Sequence, residues 1–433
     1  MAVKSQRSTL SDYFTLQRGT TYKGRLLGQP GPVLLGLATI QRNGGFRTDS
    51  LQTYGGDCPD KLLVQPGELY LSLKDVTQSA DLLGAVARLP IDQFPGRLTQ
   101  DTVKLEPKGT DVPLDYLYWL LRTPQYRIHC RAYATGTTTL GLAREDFLAF
   151  PAPEPTAVQR RLVATLGMLD DKIELNRRMN ETLEVMARAL FKSWFVDFDP
   201  VRRKAEGRDP GLPQPLADLF PDSFEDSELG KIPKGWRVGA LGQVAEHPRR
   251  GVQPKEIEPT TPYIALEHMP KRCIALSEWR PADGLESNKF EFKRGDILFG
   301  KLRPYFHKVG VAPVDGVCST DIVVVIPRAQ EWFGFVLGHV SSDTFVEHTN
   351  AGSTGTKMPR TSWSEMARYM VALPPGKVVE AFTKQIRQAV DRMFVSIHEA
   401  RTLAALRDTL LPELISGELR VKHARICAAE FNA

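Results

Sequence analysis

Apolar and polar positions follow two different periods along the chain, and the switches between them mark its elements. Between Pro155-Thr156 and Pro200, apolar positions alternate in steps of four and three: Leu162, Leu166, Leu169, Ile173, Asn176, Asn180, Leu183, Ala187, Leu190 and Trp194. That spacing turns one helix face toward a partner, with two asparagines as its polar members. About forty residues rising roughly 1.5 Å each predict a rod of roughly 60 Å. A second such run begins near Val378, where Phe382, Ile386, Ala389, Met393, Ile397, Ala400, Leu403, Leu406 and Leu410 recur every three or four residues. Pro412 is expected to interrupt this helix and Gly417 to end what remains. Two rods of similar length in one chain can bury each other's apolar faces, which predicts an antiparallel pair.

Outside the rods the pattern is short and mixed. Runs such as Leu69 to Leu73 and Val317 to Ile326 lie between Gly/Pro turns and predict strands, while Leu114 to Leu121 and Trp332 to Val340 predict helical pieces. The chain also repeats itself at an offset of roughly 230 residues, too long a period for a solenoid. Val33 to Ile40 matches Pro262 to Met269, and Gln65 to Leu71 matches Arg294 to Phe299. The polar loops Gly136-Thr137-Thr138-Thr139 and Gly352-Ser353-Thr354-Gly355-Thr356 each lead through an apolar stretch and prolines into a rod. The expected fold class is α+β, with two duplicated globular domains joined by two long antiparallel helices forming a coiled-coil spacer. The expected boundaries are 1–155 and 236–375 for the domains, 156–196 and 376–420 for the helices, 197–235 for a connector and 421–433 for a tail. The connector is rich in Pro, Gly, Asp and Phe, and its aromatics predict that it packs against something.

Composition narrows the function only a little. The 433 residues are 42% hydrophobic and 25% charged, which excludes a disordered or fibrous chain. A net charge of +5 permits nucleic-acid binding without demanding it. The five cysteines, Cys58, Cys130, Cys273, Cys318 and Cys427, include no CxxC pair, so neither a disulfide framework nor structural zinc is expected and a reducing cytoplasm fits. Met1 to Thr9 carries Lys4 and Arg7 without an apolar core, so no signal peptide is expected, and no apolar run is long enough to span a bilayer.

Catalytic motifs fail on inspection. Gly295 to Leu302 mimics a phosphate-binding loop but carries Leu302 where a hydroxyl must hold magnesium. Pro59-Asp60 with Glu106-Pro107-Lys108 is a loose shadow of a nuclease pattern, spoiled by Pro107 in its strand. The eight histidines show no ligand spacing, and His398 is expected at the solvent edge of the second rod. What remains is basic surface chemistry in turn-rich segments. The candidate DNA contacts are Arg42, Arg47 and Lys74 in the first half, and Arg249, Arg250, Lys255, Lys301, Arg303, Lys308, Lys357 and Arg360 in the second. Lys and Arg neutralise phosphates, and Arg can bridge guanine O6 and N7 in the major groove.

Several long runs carry a family resemblance. Leu169-Asp170-Asp171-Lys172-Ile173-Glu174-Leu175-Asn176 and Ala189-Leu190-Phe191-Lys192-Ser193-Trp194-Phe195-Val196-Asp197-Phe198-Asp199-Pro200 resemble the central region of type I restriction-modification specificity subunits. So do Ile232-Pro233-Lys234-Gly235-Trp236, Gly295 to Tyr305 and Leu410 to Leu419. The first half lacks the Pro-Lys-Gly-Trp opening and matches in outline only.

The resemblance implies a non-catalytic subunit in which each domain reads one half of a split target in double-stranded DNA and the rods set the gap. It implies partners: two modification (methyltransferase) subunits, docked on the rods' exposed faces, and a restriction (translocase/nuclease) subunit. No cofactor is expected on this chain; S-adenosylmethionine, ATP and magnesium are expected on the partners. Two other readings stay open at this point: a coiled-coil scaffold whose globular ends bind proteins, and a specificity module serving different effector enzymes.

Overall fold

Local chemistry dictates the start of the first unit. The Thr9 N–H donates to Asp12 Oδ2 at 2.8 Å, which caps the short helix α1 (Leu10–Tyr13) before strand β1 (Phe14–Arg18). The chain is described here from a computed structural model, for residues 8–48, 51–355 and 357–416. Met1 to Arg7, Thr356, Gly417 and the expected tail at 421–433 lie outside the described residues. The chain divides into two units, 1–170 with 405–433, and 171–404.

In the first unit the strands β2 (Val33–Leu35), β3 (Leu63–Val64), β4 (Leu69–Ser72), β5 (Lys74–Asp75), β6 (Val86–Arg88), β7 (Gly96–Leu98) and β8 (Thr102–Pro107) follow in turn. β1, β8, β4 and β6 form an antiparallel sheet in that order; β2 runs parallel to β7, and β3 lies on β7's other side. Every residue of β4 is buried, as a strand covered on both faces requires. Helices α2 (Leu114–Leu120) and α3 (Pro124–Ala132) then precede β9 (Leu140–Gly141), which pairs with β5, and helix α4 (Arg144–Leu148). Tyr116, Leu117, Tyr126 and Phe147 from these helices share one core with Leu69, Leu71 and Val103, and Leu166 and Leu411 from the long helices join it.

The long helix α5 (Ala157–Phe195) opens with a reciprocal cap. Thr156 Oγ1 accepts the Gln159 N–H at 3.2 Å, and Gln159 Oε1 accepts the Thr156 N–H at 2.9 Å. Within the first unit Asp170 receives Arg122 at 2.7 Å and Arg407 at 2.6 Å. α5 ends where Phe198 adopts a left-handed conformation and the Lys192 carbonyl accepts the Asp197 N–H.

The second unit takes the rest of α5, then helices α6 (Asp199–Ala205) and α7 (Gln214–Ala217) and the hairpin β10 (Phe224–Ser227) and β11 (Gly230–Pro233). The segment expected as a connector is therefore ordered, and Val201, Phe220 and Ile232 are buried in this unit's core. β12 (Arg237–Ala240) follows. Next come β13 (Ala245–Glu246), β14 (Gly251–Val252), β15 (Pro262–Ile264), β16 (Arg280–Pro281), β17 (Lys289–Phe292), β18 (Ile297–Gly300), β19 (Val309–Val311), β20 (Gly316–Cys318) and β21 (Ile322–Pro327). They make two sheets, β13-β21-β18-β19 and β14-β17-β20-β15-β16, with β15 parallel to β20. Helices α8 (Phe333–Val340), α9 (Asp343–Ala351) and α10 (Trp363–Ala367) lead to β22 (Met370–Leu373), which pairs with β12, and then to helix α11 (Gly376–Ser416).

The main elements follow in the same order in both units, although β5 and β9 have no strand counterpart in the second and β14 and β16 none in the first. β2 beside β7 answers to β15 beside β20; β1-β8-β4-β6 answers to β13-β21-β18-β19; α2, α3 and α4 answer to α8, α9 and α10. The turns agree in detail. Gly67 and Gly295 both take positive φ, 87° and 90°, ahead of the buried strands β4 and β18. Each donates its N–H across the turn, to Leu89 O at 2.7 Å and to Ala312 O at 2.8 Å. A side chain at either place would be strained.

Within the second unit α5 and α11 run in opposite directions. Asn176 Nδ2 donates to Glu399 Oε2 at 2.8 Å, Met179 meets Arg392 and Ser396, and the Trp194 and Phe195 rings lie 5.5 and 4.8 Å from Phe382. Asn176, Asn180, Phe382, Ile386, Met393 and Ile397 are buried; Leu162, Leu169, Ile173, Leu183, Leu190, Leu403 and Leu410 are half-buried. Leu406 departs from the expected seam and is 45% exposed, Leu403 and Leu410 having taken the inward positions on either side. His398 is exposed. Pro412 does not interrupt α11, which continues to Ser416. A proline removes one helical donor, and burial of the adjacent Leu411 in the first unit's core holds the helix through that loss.

Candidate nucleic-acid interface

In the second unit the sheet ends gather basic side chains from several segments. β18 ends at Gly300, and the chain continues through Lys301, Leu302 and Arg303. Lys301 is held by its backbone: its N–H donates to Asp321 O at 2.9 Å, and its O accepts the Thr361 N–H at 3.1 Å. Leu302 bridges antiparallel to Arg360, and the Arg303 N–H donates to Pro359 O at 2.7 Å. The polar loop after α9 is itself closed by Thr354 and Arg360, which exchange backbone hydrogen bonds at 3.0 and 2.9 Å. Arg360 stays near Asp321 at 3.3 Å, and Lys357 is exposed on the same loop.

Arg303 and His307 both have positive φ, 51° and 50°, on either side of the turn Pro304–Phe306. Such conformations cost energy in non-glycine residues and persist where the surroundings enforce them. Here His307 is buried, with Nε2 3.0 Å from Ser341 O. The turn presents Tyr305, half exposed, and stacks Phe306 under Lys271 at 4.6 Å and Arg303 at 6.0 Å. Arg303 Nε is buried without a hydrogen-bond partner among the described residues.

Other predicted residues have other fates. Arg249, exposed and at φ 48°, shares the neighbourhood of His247 with Lys301. Burial pushes the His247 pKa down, the hydrogen bond to Val324 O opposes this, and the charges of Arg249 and Lys301 add to the depression. Lys255 is exposed just beyond β14. Arg250 turns away to Asp296 at 3.0 Å, and Lys308 Nζ donates to Leu266 O at 2.5 Å. Burial, reinforced by Lys271, lowers the Lys308 pKa.

Sequence reasoning missed Lys271, Arg280 and Lys289. Pairing of β17 with β20 sets Phe290 opposite Cys318, so Lys289 lies at the strand end, next in register to Ser319. Lys289 is buried, hydrogen-bonded by Ser287 O at 2.6 Å and Ser287 Oγ at 2.7 Å, and burial lowers its pKa. Arg280 and Lys289 flank the Tyr263 ring at 5.2 and 5.8 Å. Lys271 was detectable in principle, because the offset that aligns the repeats matches it to Arg42.

The first unit builds the same loop-on-strand arrangement. β5 follows β4 and pairs with β9, Lys74 opposite Gly141. Thr135 and Gly141 exchange backbone hydrogen bonds at 2.9 and 2.8 Å, and Gln78 Nε2 donates to Thr137 O at 2.5 Å. Lys74 is paired with Asp101 at 3.0 Å. Arg42 is exposed on the turn from Gln41 to Gly45, and Arg47, also exposed, donates its N–H to Thr39 O at 2.9 Å. Gln78 and the threonines add neutral donors beside these cations. Each arrangement offers fixed donors beside cations, the chemistry that phosphates and base edges accept. Among the described residues no helix is long and apolar enough to cross a membrane.

No protein-family model matches the chain. Curated relatives are type I restriction enzyme specificity subunits. The MjaIX subunit of Methanocaldococcus jannaschii is 24% identical over 326 residues, 71% of this chain and 69% of that protein. The HindI subunit of Haemophilus influenzae is 24% identical over 73% of this chain and 79% of its own length. The EcoDI subunit of Escherichia coli is 24% identical over 78% and 81%. Among solved structures, a type I restriction-modification S subunit from M. genitalium superposes with a TM-score of 0.54 at 14% identity, over 96% of this chain and 98% of that one. That likeness is one of fold, and it is mixed α and β, as the sequence pattern predicts.

Proposed function

We propose that this chain is the specificity subunit of a type I restriction-modification enzyme, a DNA-reading protein without catalysis of its own. In this reading the globular parts at 1–155 and 236–375 are duplicated target-recognition domains, each reading one half of a bipartite sequence. α5 and α11 form an antiparallel coiled-coil spacer that sets the gap, and their exposed faces dock two modification subunits. A restriction subunit completes the enzyme. S-adenosylmethionine, ATP and magnesium act on those partners, and the assembly works in the cytoplasm.

One observation carries the proposal: the same polar loop, closed on the segment after the same buried strand, occurs once in each unit and is followed each time by a helix of about 40 residues, 39 in α5 and 41 in α11. The kinship of the curated relatives supports it. The test is to map methylated positions in cells carrying this chain with its methyltransferase. Two short constant blocks with a constant gap are expected; a continuous site, or no methylation that depends on this chain, overturns the reading. A protein-binding scaffold predicts instead that the chain with its methyltransferase fails to retard duplex DNA at any salt concentration.

A further inference from the structure

Within the second unit α5 grips the globular part through a buried carboxylate. Glu184 is 5% exposed, and its Oε2 accepts the Ile274 N–H at 2.9 Å. Its other oxygen accepts Arg188, whose guanidinium also donates to Arg272 O at 2.8 Å. Two side chains one helical turn apart thus hold the backbone at Arg272 and Ile274. A buried ion pair adds little stability over apolar residues of the same volume, whereas its hydrogen bonds fix one geometry.

The held segment carries the turn at the basic face. Arg272 has φ 55°, its N–H donates to His307 O at 2.8 Å, and its guanidinium meets Asp343 Oδ1 at 2.6 Å. His307 Nδ1 lies 3.3 Å from that same oxygen. Lys271, one residue earlier, sits 4.6 Å over the Phe306 ring. The turn from Arg303 to His307, with positive φ at both ends, therefore rests on residues that α5 fixes, and it exposes Tyr305 between them.

The first unit repeats the arrangement with other side chains. The offset that matches Val33 with Pro262 also matches Asn43 with Arg272. Asn43 has φ 62°, and its N–H donates to Asp81 O at 2.9 Å. A Cβ at Gly44 would come within 2.9 Å of Arg122 Cγ, so this turn is pressed against Arg122, which Asp170 of α5 holds at 2.7 Å. A carboxylate of α5 fixes the same turn in each unit, directly from Glu184 and by way of Arg122 from Asp170. Recurrence with different residues argues that the constraint itself is what the fold retains.

We infer that Glu184 is a positioning residue for base reading by the second unit: from the rod it sets residues 271–274, on which the Arg303–His307 turn rests. The inference rests on the proposed DNA-reading role and adds to it a buried rod residue that acts only through others. The test uses the full chain co-expressed with its methyltransferase subunit. The probes are duplexes carrying the bipartite site found by methylation mapping, intact or with either block scrambled. Discrimination is the ratio of affinities for intact and scrambled duplexes. Glu184→Ala is expected to lower discrimination at one block about tenfold, roughly the worth of one mismatched base pair, and to leave the other block unchanged. Glu184→Gln keeps an oxygen for the Ile274 N–H and should retain most of the discrimination. Thr383→Val controls for simple loss of stability. Thr383 Oγ1 accepts the Gly334 N–H at 3.0 Å, a buried tie between α11 and α8 in the same unit, and its loss should leave discrimination at the parent value. Unchanged discrimination in Glu184→Ala, equal losses at both blocks, an equal loss in Thr383→Val, or no rescue by Glu184→Gln overturns the inference and leaves the functional proposal standing. A parent complex that discriminates at neither block overturns the functional proposal, and the inference falls with it.

Discussion

The proposed spacer makes a quantitative demand. Asp170 pairs with Arg122 and Arg407 inside the first unit, and Lys172 and Asn176 meet Glu399 inside the second. Seven residues inserted after Asp170 in α5, with seven more after Ala404 in α11, leave both sets of contacts whole. One heptad keeps the seam in phase. It lengthens each helix by about 10 Å, seven residues at ~1.5 Å, which equals about three base pairs at ~3.4 Å. Methylation mapping should return both blocks unchanged and the gap wider by about three base pairs. Insertion into α5 alone breaks the matching of the seams and should abolish methylation of the bipartite site. Both blocks still methylated across the original gap in the double insertion would refute the spacer mechanism.

Three further outcomes follow from the geometry. Asn180 is buried and its Oδ1 has no partner among the described residues, so Asn180→Leu should stabilise the chain by about 1 kcal/mol, read as a higher urea midpoint at unchanged slope. Asn176→Leu should gain less, because Glu399 loses the amide it accepts; a lower midpoint for Asn180→Leu contradicts the account. Burial raises the Asp170 pKa, but Arg122 and Arg407 outweigh it and hold the carboxyl below its usual value. Its stabilisation is then fully present above about pH 3.9, the unfolded value, and is lost as pH falls through the lower folded value. Asp170→Asn leaves the mostly buried Arg122 without its paired carboxylate, while Arg407 keeps Asp408 at 2.7 Å, and should cost about 3 kcal/mol at neutral pH; chemical melts from pH 2 to 7 should show the parent losing that advantage only at the acid end. Lys301→Ala and Arg360→Ala should each reduce the slope of log K against log salt by about 0.9 in DNA retardation by the complex, and unchanged slopes would remove both from the phosphate-contacting set.

The rods and the repeat were legible in the sequence because both are local. A heptad seam is a one-dimensional pattern, and the Gly67 and Gly295 turns need only a residue tolerant of positive φ followed by an apolar strand. Pro412 misled for the complementary reason. The rule that ends a helix at proline counts one lost donor, and it cannot see that Leu411 is buried by residues far away in sequence, such as Tyr116 and Leu166, which keep the turn wound.

The basic face was legible only in part, and the division has a physical cause. Lys301, Arg303 and Arg360 sit in turns whose composition announces exposure, whereas Lys289 and Arg280 belong to strands and reach Tyr263 only through the pairing of β15 with β16 and of β17 with β20. The partners that engage Lys74, Arg250 and Lys308 are Asp101, Asp296 and the Leu266 carbonyl, each tens of residues distant, and no local window reveals them. Composition therefore picks out cations near the face, and topology decides which of them keep donors for the proposed DNA partner. In the proposed DNA-reading role the second unit engages phosphate through Lys301 and Arg303, while the first sets Gln78 and threonines beside the exposed Arg42. The second half-site should then account for most of the salt dependence of binding, and the first should depend more on neutral hydrogen bonds. Competition by duplexes carrying either half-site alone, at two salt concentrations, separates the two contributions.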